Sequence, residues 1–331
     1  MVVSNVAYEP KIVVVLTTYK DPPLFRDICG SIKSFDYSNF EVLIVDCLSA
    51  KTRQIVDEVK LQVPVHWVGL QQDKGAAHQL NVGMRSALDL DEAKYVVRIE
   101  GDAIPFDSKL LKELVNVMEN NENVAIAMPF DKDSTGKEGY GGRLYGNCTQ
   151  CPIPQPPSRI IPCIGTGGHC FITRTKYLKE LFDEEIMPYW SPLYISSEDL
   201  DFNLKAWLRS YKVVTIGSVH VLHGGTSMTK DGSYRAPYRV YHMYKNRLCL
   251  LLLNFGYKHI LTNVWYRFLH DMLSAIVYSE IIPMIRGYLW VALNQKRILQ
   301  QRELRMTRWK RISDDELKPH VLIRLPMPIR K

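Results

Sequence analysis

Residues 196–204 read SSEDLDFNL, placing three carboxylates, Glu198, Asp199 and Asp201, just before an amphipathic stretch, LKAWLRSYKVV. One carboxylate would serve a helix N-terminus, where it meets free N–H groups and the positive end of the dipole. Ser197 as cap, with the three acids behind it, makes an ordinary acidic first turn. A second acidic pair stands in EGD at 100–102, with Glu100 and Asp102 at alternate positions of an extended terminus. Both carboxylates can reach one hard cation there, and Mg2+ or Mn2+ favours one or two carboxylates completed by water and phosphate oxygens. The plainer reading of EGD is a solvated turn after a strand. His223, in VLHGG, offers an imidazole, although a lone histidine near a strand end is more often structural.

The elements that must position these groups alternate in type. KIVVVLTTY (11–19) has the length and β-branched composition of a buried strand, and LFRDICGSIKSF after it has helical spacing. FEVLIVD (40–46), a helix over 51–60, VPVHWVGL (63–70), the helix GAAHQLNVGMRSAL and the strand KYVVRIEGD (94–102) continue the rhythm. Such alternation predicts a mostly parallel α/β sheet with functional groups at the carboxyl ends of its strands. Thr17, Thr18 and Tyr19 end the first strand, Asp46 the second, and Glu100 and Asp102 a later one, so three strand ends deliver polar groups to one edge. Residues 131–162 interrupt with Gly- and Pro-rich runs that read as a long loop. Order resumes with IGTGGHCFITRTKYLKEL and with YKVVTIGSVHVLH, which ends at His223. Beyond residue 237 Gly nearly vanishes and Leu, Ile, Tyr, Trp and Met dominate, which sets a domain boundary near 236: a catalytic domain over 1–236 and a helical region over 237–331.

The 331 residues, 46% of them hydrophobic, can bury a large core, and the chain has neither repeats nor low-complexity segments. The N-terminal stretch lacks the pattern of a signal peptide, and seven cysteines suit free thiols in a reducing compartment, so a cytoplasmic location is expected. The net charge of +7 suits an anionic nucleotide, a membrane surface or nucleic acid alike. No recognition motif accompanies the basic residues, so nucleic acid is not an expected partner.

Taken together and in order, VVVLTTYKDP, VLIVDCLSA, KGAAHQLNVGMRSA, VVRIEGDAIPFDSKLL, GTGGHCFITRTKYL, FDEEIMPYWSPLYISSEDLDFNLKAWLRSYKVV and VHVLHGGTS resemble the family-two glycosyltransferases with the GT-A nucleotide-sugar-binding fold. The resemblance spans residues 10–250. It implies a nucleoside pocket at Thr17, Thr18, Tyr19 and Asp46; UDP, GDP and dTDP all offer Asp46 a base N–H, so the base stays open. Lys74 and Gly75 resemble the turn near the nucleotide, and Asn81 a helix residue facing it. Glu100, Gly101 and Asp102 match the family's DXD element, with Asp102 the metal-contacting acid and His223 a histidine reaching metal or pyrophosphate. Asp199 matches the catalytic base of an ED pair, and Glu198 a residue positioning a sugar. The implied reaction is a single, inverting displacement on a nucleotide-sugar, aided by Mn2+ or Mg2+, onto the hydroxyl of a lipid-linked or glycan acceptor.

Departures narrow the resemblance. Glu100 replaces the usual first aspartate, and Leu80 stands where an arginine is common. The QXXRW motif of processive members is missing: RMTRW (305–309) comes too late and lacks Gln. YRVYHMYKNRL (238–248) resembles instead the helix of non-processive rhamnosyl- and mannosyl-type enzymes, which implies addition of one sugar. A sugar-nucleotide nucleotidyltransferase would need a Gly-rich phosphate loop that TTYKDPPLF lacks. A non-catalytic nucleotide-sugar or glycan-binding module would have no need of Asp102, Asp199 and His223 together.

Two features lie outside this core. Cys148 and Cys151, followed by Cys163 and Cys170, have spacing that can hold zinc, but Cys170 falls in a core strand, which favours free thiols or a local disulfide. In the C-terminal region charged residues interrupt every window of spanning length, leaving amphipathic helices with Trp265, Trp290 and many Tyr, then a basic cluster from Lys296 to Arg311. Such helices pack on the catalytic core or form an oligomer interface, or they lie on a membrane with Arg302, Arg305, Arg308 and Lys310 toward anionic lipid. The resemblance favours peripheral attachment at the cytoplasmic membrane face.

Overall fold

The first apolar run forms strand β1 (Ile12–Tyr19), buried over all but its last residue. Its alternate residues divide two cores: Val13 and Val15 face one, and Ile12, Val14 and Leu16 the other. A strand buried on both faces needs helices on both sides of its sheet. The computed structural model, which describes residues 9–90, 92–133, 142–152, 160–164, 168–223, 236–317 and 321–322, has that layering. After β1 come α1 (Phe25–Lys33), β2 (Phe40–Cys47), α2 (Thr52–Val59), β3 (Val65–Leu70), α3 (Ala76–Asp89) and β4 (Tyr95–Glu100). Next are β5 (Ala103–Pro105), α4 (Leu110–Glu119) and β6 (Val124–Asp133), then β7 (Gly142–Tyr145), β8 (Gln150–Pro152) and β9 (Ile161–Pro162). β10 (Cys170–Arg174), α5 (Thr175–Asp183), α6 (Glu198–Leu208) and β11 (Lys212–His223) complete the α/β part.

The main sheet has nine strands in the order β3-β2-β1-β4-β10-β6-β11-β5, with β9 also on β11. β5, β9 and β10 run against the other six. Helices α1, α2 and α4 cover one face through Ile28, Val56 and Leu114, and α3, α5 and α6 cover the other through Met84, Leu181 and Leu204. Register brings the polar strand ends together. Thr17 lies beside both Val45 and Glu100, and Thr18 beside Asp46. Insertion of β10 antiparallel to β4 puts the residue just before it, His169, next to Glu100, whose N–H donates to the His169 carbonyl. β5 folds back on β11 and pairs Ala103 with His223.

The long loop expected over 131–162 holds more structure than its composition signals. β7 and β8 pair antiparallel, β12 (Val321–Leu322) adds to β7, and Leu144 enters the core. Partners distant in sequence supply what local propensity lacks: Arg267 donates to the Asn147 carbonyl and the Thr149 hydroxyl, and His259 bonds the Gly146 carbonyl. The runs 134–141 and 153–159, which carry the loop's Gly and Pro repeats, lie outside the described residues.

The C-terminal region comprises α7 (Pro237–Asn254), α8 (Tyr257–Val277), α9 (Ile281–Leu293) and α10 (Gln295–Leu304), then a π-helical turn (Arg305–Trp309) and α11 (Asp314–Leu317). Leu250, Phe255 and Trp309 join the same core as Val13 and Val45. α9 lies tight against α7, where a Cβ on Gly287 would meet the Lys245 backbone nitrogen at 3.0 Å. Three residues of the expected lipid-facing basic cluster do not face outward freely: the Lys310 side chain is 12% exposed and paired with Asp314, and the other two are buried. Arg305 is fully buried and paired with Asp201, and Arg302 donates to the carbonyls of Leu252 and Phe255. Their charge is consumed in joining the helices to α6 and to each other. Trp309 of RMTRW is likewise buried, its indole N–H donating to the Lys205 carbonyl at 2.8 Å.

Candidate active site

A cavity of about 400 Å3 opens at the edge where the polar strand ends meet. Thr17, Thr18, Tyr19, Lys74, Gly75, Glu100, Gly101 and Asp102, all expected from the sequence, line it. Asp46 and Asn81 stand behind the wall. The Thr18 hydroxyl, which is in the wall, donates to Asp46, as does Thr52 at 3.2 Å. Asn81 does not face the cavity: its side chain bonds the Tyr189 backbone in both directions, at 2.6 and 2.9 Å, fastening α3 to the segment before α6. Two glycines are fixed by close approach. Gly75 adopts φ +89°, and a Cβ there would strike the Tyr194 ring at 2.6 Å; one on Gly101 would press on the Thr17 carbonyl at 2.8 Å. The N-terminal end of α7 contributes Tyr238 and Arg239 to the lining.

The acidic turn is not a capping motif. Ser197 occupies the N-cap position in a left-handed conformation (φ 68°, ψ 8°) and makes no side-chain cap bond, and Ser196 is also left-handed. Backbone strain of this kind persists only where surroundings impose it. Here buried Asn246 of α7 donates to the carbonyls of Leu193, Ile195 and Ser196. The turn so held directs Asp199 to Arg98, which bonds it at 2.6 Å and lies 3.5 Å from Glu100. Gly168 lies under the Asp199 carboxylate, and any Cβ there would collide with it.

Burial alone would weaken the charge of Arg98, but Asp199 and Glu100 more than compensate, so it remains a firm cation. Burial raises Glu100, yet Arg98 and His169 hold it well below the usual carboxylate range. Burial also lifts Asp199, against the pull of Arg98. Burial, reinforced by the charge of Asp199, pushes Glu198 up to about 8.

On the other side of Glu100 stand two stacked imidazoles, His169 and His223, with ring centroids 3.3 Å apart. His169 Nδ1 bonds Glu100 at 3.0 Å, its Nε2 is 3.9 Å from Asp131, and His223 Nε2 is 3.5 Å from Asp102. Ligand atoms of Glu100, His169 and His223 all lie within 4.8 Å of one another. Two imidazole nitrogens and a carboxylate oxygen are a donor set for a divalent transition ion. Burial would lower His169, but the hydrogen bond with Glu100 and the charge of Asp131 raise it to about 9.

His169, Arg98 and Asp131 are the residues that sequence reasoning missed. A lone Arg inside VVRIE and a polar residue within the strand MPFDKD were the available signals. His169 in GGHCF has no such signal, because only the antiparallel insertion of β10 sets it beside Glu100. Cys148, Cys163 and Cys170 are buried free thiols, their pKa values raised by burial, as the favoured reading of these cysteines expects, and the Cys151 side chain lies outside the described residues. Residues 224–235, including the glycines after His223, also lie outside them.

This layered sheet, with its site at the carboxyl edge, is the GT-A glycosyltransferase fold. Solved structures share it at low sequence identity. S. aureus TarS aligns with TM-score 0.54 and 18% identity over 79% of this chain. GalNAc-T7, crystallised with UDP, GalNAc and Mn2+, aligns at 0.68 and 13% over 94% of this chain. The mannosyltransferase PcManGT from Pyrobaculum calidifontis, with GDP-Man and Mn2+, aligns at 0.55 and 15% over 91% of this chain and 82% of its own. The chain spans 43% of the TarS chain and 57% of the GalNAc-T7 chain. No curated protein matches it in sequence. The family model for glycosyl transferase family 2 matches residues 13–182, and the chain belongs to that family.

Proposed function

We propose that the protein transfers one sugar, with inversion, from a nucleoside-diphosphate sugar to an acceptor hydroxyl, with Asp199 as general base. The observation that carries this is the placement of Asp199 just after a strained, externally braced turn, salt-bridged at 2.6 Å to Arg98, which lines the cavity. The reading assigns the nucleoside to the Thr17–Tyr19 edge, with Asp46 steadied behind it by Thr18 and Thr52. Lys74 and the Gly75 turn then lie along the diphosphate. Asp199 accepts the proton of the acceptor hydroxyl as that oxygen bonds the anomeric carbon and the carbon–phosphate-oxygen bond breaks; its electron pair leaves with the nucleoside diphosphate. One displacement inverts the anomeric centre. General-base catalysis of this kind is worth ~10²–10⁴-fold. In this reading Arg98 orients the base, and Glu198, whose neutral form is favoured by burial and by the charge of Asp199, would offer a hydrogen bond to a sugar.

Glu100, His169 and His223, with Asp102 adjacent, would hold a divalent cation, and two imidazoles suit Mn2+ better than the oxygen-seeking Mg2+. When bound, it neutralises charge on the leaving diphosphate. Neighbours of this fold crystallised with GDP-Man or UDP together with Mn2+ support the same donor class. The acceptor is assigned to a lipid-linked or glycan precursor approaching from the α7 side, residues 1–236 to the catalytic unit, and 237–331 to a helical extension that braces the base.

The test is thermal shift with UDP-, GDP- and dTDP-sugars, with and without Mn2+. A donor at a hundred times its Kd should stabilise the protein by ~2.7 kcal/mol, and the gain should depend on metal. Absence of a shift with every nucleotide-sugar in either condition contradicts the assignment.

A further inference from the structure

Of the twenty large hydrophobic side chains exposed among the described residues, fifteen fall between Tyr257 and Leu299. They form stripes. On α8, Leu261, Trp265 and Leu269 recur every four residues opposite the buried face that grips residues 146–149. On α9, Ile282, Leu289 and Leu293 stand opposite the face packed on α7. The two helices run antiparallel side by side: they join across 278–280, while farther along Phe268 touches Tyr288 and the Tyr288 hydroxyl reaches Asp271. Trp265 is 68% and Leu293 75% exposed, far more than residues awaiting only a neighbouring loop. Soluble monomers rarely expose so continuous an apolar surface unless something covers it.

Charge identifies the cover. Between residues 256 and 302 the only acids are Asp271 and Glu280, both buried and bonded to Arg267 and Tyr244. The exposed charges on α8 and α9 are Lys258 and Arg286, and exposed Lys296 and Arg297 follow in the first turn of α10, whose exposed acid, Glu303, stands at its far end. No described helix is long and apolar enough to cross a membrane. A cationic border on an apolar, aromatic, non-spanning helix pair matches the interface of an anionic bilayer, with Trp and Tyr at headgroup depth. We infer that the outward face of α8 and α9 docks the protein on the surface of a membrane containing anionic lipid. This replaces Arg302 and Arg305 as contact residues, since both are spent inside the fold. α7, which packs on α9, also supplies Tyr238 and Arg239 to the cavity, so docking sets the catalytic cavity at a fixed distance from the lipid surface.

The experiment is flotation of the full chain with phosphatidylcholine vesicles, with and without phosphatidylglycerol, without substrate, so that its outcome is independent of the catalytic reading. Wild type should float with the anionic vesicles and weaken as salt rises. Leu261→Ser, Trp265→Ser and Leu269→Ser together should lower vesicle affinity at least about tenfold while leaving the melting temperature and nucleotide-sugar binding unchanged. Lys258→Gln, Arg286→Gln, Lys296→Gln and Arg297→Gln together should abolish the preference for anionic over neutral vesicles, again at least about tenfold. Wild type that stays in the soluble fraction with both vesicle types overturns the inference. So does a stable dimer in sedimentation that the Trp265 variant converts to monomer without any vesicle binding, since the face would then be a contact between copies.

Discussion

Asp199 and Asp201 stand two residues apart at the start of α6, and their surroundings differ in nearly every respect. Asp201 is fully buried and accepts from both terminal nitrogens of Arg305, from Asn254 and from Lys205. Lys205 spends its other hydrogens on the Met187 and Pro188 carbonyls. Apart from Arg305 Nε, this network is closed. Asp199 shares its surroundings with Glu198, Glu100, His169 and Arg98, and the Glu198 Oε2, Arg98 Nε and Tyr189 hydroxyl have no hydrogen-bond partner among the described residues. A closed network can only hold elements together, whereas an open one retains capacity for a substrate proton or hydroxyl. On the proposed function, one acidic string therefore carries a structural joint and a reactive group, and the N-terminal half of α6 is anchored by the joint.

The joint is the place to break the comparison most severely. Arg305→Met leaves Asp201 buried with its Arg partner gone, and removing one member of such a pair costs ~3–5 kcal/mol, read by urea unfolding. Replacing the whole charged group, with Asp201→Leu and Lys205→Met added, should recover much of that loss. A cost under ~1 kcal/mol for the single variant would place Arg305 among ordinary surface ion pairs.

The brace is next. Asn246→Ala removes the donor to three carbonyls and lets the Ser196–Ser197 turn relax. Turnover should fall about tenfold or more with little change in donor KM, since misplacement of a base by ~1 Å can cost up to a hundredfold. Equal loss in KM would mean that Asn246 supports donor binding and not the turn.

On the metal side of Glu100, His169→Ala should weaken Mn2+ binding at least about tenfold, measured by electron paramagnetic resonance of the free ion, because a nitrogen ligand is lost. Unchanged affinity would leave His169 as a hydrogen-bonding neighbour of Glu100 only.

The smallest effect concerns Glu198. Burial raises its folded pKa to about 8, above the unfolded value of ~4.3, so the folded state holds the proton more tightly. That stability is fully present below the unfolded pKa and drains away as pH rises toward about 8. Glu198→Gln, with no proton to lose, should show a flatter melting temperature over that window, by roughly 2 °C per pH unit. Parallel profiles for the two proteins would place the Glu198 pKa near its ordinary value.

The α/β architecture was legible because its signals are local. IVVVLTTY and FEVLIVD are continuous β-branched runs, and the polar residues at their ends mark one sheet edge without any knowledge of pairing. The acidic string was half legible: residue types marked it as a candidate site, but the division between Asp199 and Asp201 depends on Arg98 and Arg305, which lie about a hundred positions away in either direction. His169 could not be read at all, since its place depends on the antiparallel insertion of β10 beside β4. The basic cluster misled for the converse reason, because charge in a sequence does not say whether a guanidinium meets water or a buried carboxylate.

The central claim is that Asp199 acts while Asp201 holds. Its most direct measurement is the turnover of Asp199→Asn on protein whose melting temperature and donor binding match wild type. A fall of at least about a hundredfold is expected from loss of a general base. Turnover near wild type in that folded, donor-binding variant would contradict the account and return Asp199 to the structural company of Asp201.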